Sequence, residues 1–203
     1  MIMISEADTP TDDGDIERLL DRLKAGDKSA MDALSTLLFE DLRRLARAQR
    51  HRLGGGETLR TTALIHETYL KMRRSANISA HSRKHFLHTA ALAMRQILID
   101  HARSQLAQLD RQQSVHAEAE DRHVDLHQQA KLVLDIDAAL DRLGKNEPRL
   151  VEVVNYRYFA GCSEDETADL LEVSPRTVRR DWFKAKAWLA DALNAHDNAA
   201  RIL

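Results

Sequence analysis

Apolar side chains recur at three- and four-residue spacing along most of the chain, which is the pattern of helices that bury one face. In the first half, this spacing predicts helices over residues 15–23, 29–52, 58–73 and 86–105. In the second half it predicts helices over 131–143 and 148–159, closed by Gly144 and Gly161. We therefore expect helices throughout, with "AGDKSA" as the turn of a first helical hairpin.

The composition supports this expectation and suggests two domains. Only 7 glycines, 3 prolines and 4% aromatic residues argue against a β-rich fold, and 43% hydrophobic residues are enough for real cores. The stretch "QLDRQQSVHAEAEDRHVDLHQQ" has few residues that could anchor a core, so it is either a linker or a frayed helical connection. We predict an all-α protein with two small helical domains joined by a polar linker: acidic N-terminus 1–14, first domain 15–105, linker 106–130, second domain 131–198.

Charge is unevenly distributed on a chain whose formal net charge is only −2. Basic clusters lie near residue 47, between 83 and 111, and between 174 and 188, which suggests local phosphate contacts. No apolar run is long enough for a membrane span, and the single cysteine, Cys162, fits a reducing compartment. These features predict a soluble cytoplasmic protein without a membrane partner.

The segment "CSEDETADLLEVSPRTVRRDWFKAKAWLADAL" carries two helix starts separated by a short turn. Ser163 and Glu166 form a capping box for the first helix, while Ser174 caps the second with Pro175 at its first position. The second helix is predicted to bury Val178, Trp182, Ala185 and Leu189. Its N-terminal half projects Arg176, Thr177, Arg179, Arg180 and Lys184. A solvated charged face is the alternative, but together with the motif these side chains predict a DNA-reading helix-turn-helix.

Two histidine patterns were weighed as metal sites. His66-Glu67 begins like the HExxH zinc motif, but Leu70 occupies the position of the second histidine. His116, His123 and His127 have near-helical spacing, yet no second ligand type converges on them. No nucleophile with a matching base and no glycine-rich phosphate loop is present either. We expect no metal, no cofactor and no catalytic residues.

The motifs in their order along the chain resemble those of an extracytoplasmic-function (ECF) sigma factor, a two-domain member of the sigma-70 family. "LLDRLKAGDKSAMDALSTLLFEDLRRLAR", "ALIHETYLKM" and "HFLHTAALAMRQILIDHAR" are similar to sigma region 2, and the helix-turn-helix segment is similar to region 4. In particular, the chain is similar to the sub-branch with "TTALIHE-YL" and "VSPRTV-RDW". The resemblance covers nearly the whole chain.

This resemblance implies partners and site residues. The β′ clamp of core RNA polymerase would be bound by Leu64, Ile65, Glu67, Tyr69 and Leu70. The β flap of the polymerase would be bound by the second domain. The −10 element of promoter DNA would face the helix around Asp100, and in particular Arg83, Lys84, Met94, Arg95, His101 and Arg103. The −35 element would be read as duplex by Ser174, Arg176, Thr177, Arg179, Arg180 and Lys184. Whether an anti-sigma factor also binds is left open. The alternative function is that of a free-standing helix-turn-helix repressor or activator.

The chain departs from the family pattern at two places. Glu172 stands where most members have glycine in the turn; a positive φ would cost glutamate about 1 kcal/mol, so a differently built turn is expected. Arg60, Thr61, Thr62 and Ala63 replace the usual acidic cluster before Leu64.

The lost acidic cluster suggests regulation by phosphorylation. Phosphorylation of Thr61 or Thr62 by a Ser/Thr kinase would restore negative charge at a helix N-terminus, where the helix dipole favours it. The hypothesis is that binding to core polymerase is weak until that happens. The alternative is that the threonines merely cap the helix.

Overall fold

The computed structural model describes residues 13–53, 59–75, 80, 82–112 and 120–194, and within these residues it contains only helices and their connections. The first module consists of α1 (Asp13–Lys24), α2 (Ser29–Leu37), α3 (Phe39–Arg52), α4 (Thr61–Arg74) and α5 (Arg83–Gln112). The second consists of α6 (Glu120–Asn146), α7 (Pro148–Val154), a π-helical turn (Asn155–Phe159), α8 (Glu164–Leu171) and α9 (Pro175–Asn194). The predicted all-α fold is thus confirmed for the described residues.

The first hydrophobic core lies among α1 to α5. Leu34 of α2, Leu64 of α4, and Phe86 and Met94 of α5 are fully buried there. The predicted single helix over 29–52 is wrong at Leu38, whose φ of −98° and ψ of 16° separate α2 from α3. Leaving the helical conformation at this point brings the Leu38 side chain into the core.

The second core is built on the same long helix. Ile99 and Ala102 of α5 pack with Ile136 and Leu140 of α6 and with Leu189 of α9. The helix-turn-helix adds a small third cluster of Val153, Ala168 and Val178. Because α5 continues from one core into the other, the two modules pack against each other.

The connection between the modules is largely helical. Helix α5 continues to Gln112, and Leu109 within it is buried; α6 already begins at Glu120. The segment 113–119 lies outside the described residues, as do residues 1–12 of the expected acidic N-terminus. The described residues on either side of the segment 113–119 are helical.

Gly144 does not close a helix, contrary to the sequence prediction, because α6 continues to Asn146. A Cβ at position 144 would lie 3.5 Å from a methyl group of Val151, an ordinary van der Waals distance, so the packing of α7 against α6 does not require glycine here. The helix ends before Pro148, which starts α7. Gly161 does follow the second predicted helix, and its φ of +74° suits glycine.

Across the described residues, no helix combines the length and the apolar character that crossing a membrane requires.

Gln49 joins the two modules through a fully buried side chain on α3. Its amide donates hydrogen bonds to the carbonyl of Ala91 at 2.8 Å and to that of Phe159 at 3.2 Å. The Phe159 carbonyl ends the π-helical turn, where helices leave carbonyls without an intrahelical partner. The side chain therefore satisfies a helix end that is distant in sequence.

We expect Gln49→Ala to lower the free energy of unfolding by about 2 kcal/mol, because it leaves the Phe159 carbonyl buried without this donor and opens a cavity. Chemical denaturation of the full chain measures the change. His51→Ala removes an exposed side chain from the same helix and should change the free energy of unfolding by less than about 0.5 kcal/mol. Equal effects of the two substitutions would contradict the role given to Gln49.

Candidate nucleic-acid interfaces

The first helix of the helix-turn-helix, α8, begins with the predicted capping box. The Ser163 hydroxyl accepts a hydrogen bond from the Glu166 backbone at 3.1 Å, and the Glu166 carboxylate accepts one from the Ser163 backbone at 2.8 Å. The hydrogen bond from the Ser163 backbone, followed by the one from Lys84, holds the pKa of Glu166 below its usual value. The capping glutamate is therefore charged at neutral pH and also forms a salt bridge with Lys84.

The turn after α8 contains a left-handed residue. Glu172 has φ 54° and ψ 41°, so the expectation that glutamate would avoid a positive φ is wrong. The geometry is set by the surroundings: the Val173 N–H donates to the Ala168 carbonyl at 3.0 Å, and the Val173 side chain packs on the third cluster. These interactions offset a backbone cost of about 1 kcal/mol.

The second helix, α9, presents the residues predicted to contact duplex DNA. The Ser174 hydroxyl accepts a hydrogen bond from the Thr177 backbone at 3.1 Å, which confirms it as the N-cap. Arg176, Arg179, Arg180 and Lys184 are exposed, while Thr177 is half-buried. On the opposite side Val178, Ala185 and Leu189 are buried as predicted, and Trp182 is half-buried.

Asp181 is a buried carboxylate beneath α9 that no local sequence pattern distinguishes. Its side chain is 1% exposed and accepts hydrogen bonds from Arg149 at 2.7 Å and from Arg180 at 3.1 Å. Both arginines are about half exposed, so their outer donors remain at the surface. Arg179 pairs with Glu164 of α8 at 2.7 Å, and this pair is more exposed because the Glu164 side chain is 24% exposed. Arg149 thus joins the basic surface around α9, although no local motif points to it.

The N-terminus of α4 has neither a side-chain cap nor an acidic residue in its first turn. Its N-cap is Arg60, and Thr61 and Thr62 are the first two helical residues. The alternative that these threonines cap the helix is therefore wrong for this structure. The Thr61 hydroxyl accepts a hydrogen bond from Arg50 at 2.9 Å and is half-buried, whereas Thr62 is exposed.

The residues expected to bind polymerase divide between the core and the surface of α4. Leu64 and Ile65 are buried in the first core, so they hold the helix in place and offer little surface to a partner. Glu67 is exposed, and Tyr69 and Leu70 are half-buried. The Tyr69 hydroxyl donates to Asp32, and this hydrogen bond is the main cause that raises the pKa of Tyr69.

The basic residues expected at the −10 element lie along α5, and the three arginines and the lysine among them form ion pairs with carboxylates: Arg83, Lys84, Arg95 and Arg103. Arg83 pairs with Asp41 at 2.6 Å and Lys84 with Glu166 at 3.2 Å. Burial acts to raise the pKa of Asp41, but hydrogen bonds from Arg83 and Arg44 outweigh it and hold that pKa below its usual value.

Further along α5, Arg95 and Arg103 share a single carboxylate on α6. Asp137 accepts hydrogen bonds from Arg95 at 2.7 Å and from Arg103 at 3.1 Å. Burial lowers the pKa of Arg95, with Asp137 acting in the opposite direction, and a guanidinium stays charged in either case. His101 lines a small groove between α5 and α6, and Met94 is fully buried and supports the helix from within.

The histidines weighed as metal ligands are dispersed. His66 is exposed on α4 and His127 is half-buried on α6. His116 and the His123 side chain lie outside the described residues. Within the part that the structure describes, no three histidine, cysteine, aspartate or glutamate residues converge on a metal position. Burial raises the pKa of the Cys162 thiol to about 11, so it is protonated at neutral pH.

A family model described as ECF sigma factor matches residues 13–195. The matched span contains every residue that the structure describes, from α1 to the end of α9. Searches of curated proteins and of solved structures each found no match.

The left-handed conformation of Glu172 gives a test of the turn. Glu172→Gly should raise the free energy of unfolding by about 0.5–1 kcal/mol, because glycine adopts a positive φ without steric cost. Glu172→Ala is the matched control: it removes the same side chain but keeps the Cβ, so it should give no comparable gain. Thermal denaturation of both variants measures the difference, and equal stability would show that the backbone conformation is not the cause.

Proposed function

The chain belongs to the ECF sigma factor family, and on that premise we propose that α9 and α5 read the two promoter elements separately. The family makes it a sigma factor of RNA polymerase, a transcription initiation factor rather than a typical enzyme. Core polymerase and promoter DNA are therefore its partners.

The exposed face of α9 is proposed to enter the major groove of the −35 element. The observation that supports it best is the set of exposed donors at the capped end of this helix: Arg176, Arg179, Arg180 and Lys184. Buried Val178 and Ala185 fix the opposite face, so the helix presents these side chains in a constant orientation. Arginine and lysine suit guanine edges and phosphates, while Ser174 and Thr177 are placed to contact the backbone of the duplex.

The face of α5 that carries Arg83, Lys84, Arg95, His101 and Arg103 is proposed to contact the −10 element. Promoter opening requires bases to leave the stack, at a cost of a few kcal/mol for each unstacked step. Cationic side chains along one helix can follow the phosphates of the displaced strand and offset that cost. No bond of the DNA is made or broken by these residues.

Exposed Glu67 and half-buried Tyr69 and Leu70 of α4 are proposed to dock on the β′ clamp, with Leu64 and Ile65 anchoring the helix from the core side. The second module is proposed to contact the β flap. Since α4 begins without an acidic residue, its first turn lacks the negative charge that suits both the helix dipole and a basic partner.

We further propose that phosphorylation in this first turn strengthens polymerase binding, and the geometry favours Thr62. A phosphate on Thr61 would lie beside Arg50, whose guanidinium already donates to that hydroxyl and would neutralise part of the new charge. Thr62 is exposed, so a kinase can reach it and its phosphate can face a partner.

Arg176→Ala should lower promoter-specific transcription about tenfold in a reaction with purified core polymerase, because one groove-facing cation typically accounts for ~1–3 kcal/mol. Lys145→Ala, which removes an exposed cation from the last turn of α6, should leave the start-site yield unchanged. The yield of defined transcripts is the measurement. Equal losses in both variants would contradict −35 recognition by α9.

Thr62→Glu should strengthen binding to core polymerase about threefold to tenfold, since it adds one negative charge at the start of α4. Thr61→Glu should gain less because Arg50 screens it. Thr62→Gln is the uncharged control of the same size and should bind like the unmodified chain. Biolayer interferometry on immobilised core polymerase measures all three, and a Thr62→Glu affinity equal to that of Thr62→Gln would refute the charge mechanism.

A further inference from the structure

A cleft of about 480 Å³ lies between α3, the start of α5 and the end of the π-helical turn. This volume falls within the range of about 300–1,000 Å³ that is usual for small-molecule sites. The apolar part of its lining is formed by Leu45 and Ala48 of α3, Leu87 of α5 and Phe159 of the turn. These four side chains belong to none of the contacts proposed above for DNA or polymerase. The proposed function therefore leaves the cleft without a role.

The two carboxylates that line the cleft already have cationic partners within the protein. Asp41 accepts hydrogen bonds from Arg44 and Arg83. Glu166, the capping residue of α8, forms a salt bridge with Lys84 at 3.2 Å. Because both carboxylates are paired in this way, the cleft offers a cationic ligand no free negative charge.

Arg52 lines the same cleft and has no carboxylate partner among the described residues. Its guanidinium carbon lies 4.9 Å from the centre of the Tyr158 ring, and its Nη1 atom is buried without a hydrogen-bond partner. The side chain is half-buried, and a guanidinium that is partly removed from water is stabilised by an anion that can accept its hydrogen bonds. The cleft thus combines one unmatched positive charge with an apolar surface.

Other polar atoms near the cleft are buried and lack partners among the described residues. His88 lines the cleft, is 8% exposed, and has no hydrogen-bond partner at Nδ1. Its ring stacks on Tyr156 with 3.8 Å between centroids, and burial lowers the pKa of His88 to about 4, so the ring is neutral. In the adjoining turn, Asn155 Oδ1 and the Tyr158 hydroxyl are also buried without partners. Since proteins pair most of their buried polar groups, this concentration of unpaired atoms points to a place where a bound molecule would find hydrogen bonds.

The turn that forms one wall of the cleft has an uncommon geometry. The Ala160 N–H donates to the Asn155 carbonyl at 2.9 Å, five residues back along the chain. Such π-helical turns are rare and are frequently found at functional sites. The position of this turn beside the unpaired atoms is therefore a further indication of a ligand site.

We propose that this cleft binds a small organic anion, in which one carboxylate or phosphate group is carried on an apolar body. The anionic group pairs with Arg52, and the body packs against Leu45, Leu87 and Phe159. Neutral His88 provides a hydrogen-bonding group beside them. The site does not depend on the assignment of the DNA contacts, because Arg52 and His88 belong to neither proposed DNA surface.

The first test titrates the full-length chain, labelled with ¹⁵N, with small probes and follows the amide chemical shifts by NMR. Benzoate and phenyl phosphate carry an anionic group on a ring, inorganic phosphate is the anion alone, and benzyl alcohol is a ring without charge. At least one of the two ring-bearing anions should bind saturably with a Kd of about 0.1–1 mM and shift the amides of Gly161 and Cys162. Inorganic phosphate and benzyl alcohol should bind about tenfold more weakly, since each makes only part of the contacts.

The probes also separate the possible sources of the anionic group. Tighter binding of benzoate supports a carboxylate ligand, and tighter binding of phenyl phosphate supports a phosphate ester. Inorganic phosphate that binds as tightly as phenyl phosphate would mean an adventitious ion only and would overturn the proposal. Failure of both ring-bearing anions to saturate these amides would overturn it as well.

A matched pair of substitutions tests the role of the unmatched cation. Arg52→Gln keeps a polar side chain but removes the charge, and it should weaken binding of the tighter ring-bearing anion about tenfold. Arg47→Gln removes an equal charge from an exposed position of the same helix, outside the lining of the cleft, and should change the affinity less than about twofold. Equal losses in the two variants would show a general electrostatic attraction and would contradict a site at Arg52.

A second pair changes no charge and so does not depend on the folding of the Arg52 variant. Ala48→Met places a larger apolar side chain in the cleft, and it should weaken binding of the same anion about tenfold because the probe's ring loses its space. Ala107→Met makes the same change on the exposed side of α5 and should leave binding as it is in the unmodified chain. Thermal denaturation checks that both variants are folded. Unchanged binding to folded Ala48→Met would place the probe outside the cleft and refute the site.

Discussion

The burial of one helix in two cores is the constraint on which the rest of the structure depends. Phe86 and Met94 in the first half of α5 are buried among α1 to α4, and Ile99 and Ala102 in the next turns are buried against α6. Leu98 packs against both cores. Since a helix is a rigid rod over this length, the position of α6 relative to the first module follows from the rotation of α5. On the polar side of α5, between its contacts with the two cores, arginines of this helix form ion pairs with carboxylates.

The two basic surfaces differ in how readily their cations can change partners. On α9, Arg179 is 65% exposed in its pair with Glu164, and exposed pairs of this kind contribute only about 0–1 kcal/mol. On α5, Arg95 and Asp137 are both largely buried, and their attraction is less screened by water and salt. The Arg179–Glu164 pair can therefore exchange partners more readily than the Arg95–Asp137 pair.

Features that depend on near neighbours in sequence could be predicted, and features that depend on distant partners could not. The capping box of Ser163 and the N-cap at Ser174 involve residues three positions apart, so the sequence identified both. Gln49 bonds to a residue 110 positions away, and Arg95 pairs with one 42 positions away, at separations where periodicity carries no information. At Glu172 the local preference of glutamate disfavours a positive φ, but packing of the turn imposes one. The site residues were placed by family resemblance, and the structure added their carboxylate partners.

Arg50 contacts both the start of α4 and the groove between α5 and α6. This side chain donates to the Thr61 hydroxyl and also lines the groove that contains His101 of α5 and Gln129 of α6. Charge added at Thr61 would draw Arg50 toward the phosphate and away from that groove, since a charge-assisted bond to a dianion is stronger than one to a hydroxyl. Charge added at Thr62 has no such guanidinium contact among the described hydrogen bonds and faces outward. The two adjacent threonines therefore differ in environment: the Thr61 hydroxyl is bonded within the chain, whereas Thr62 is exposed.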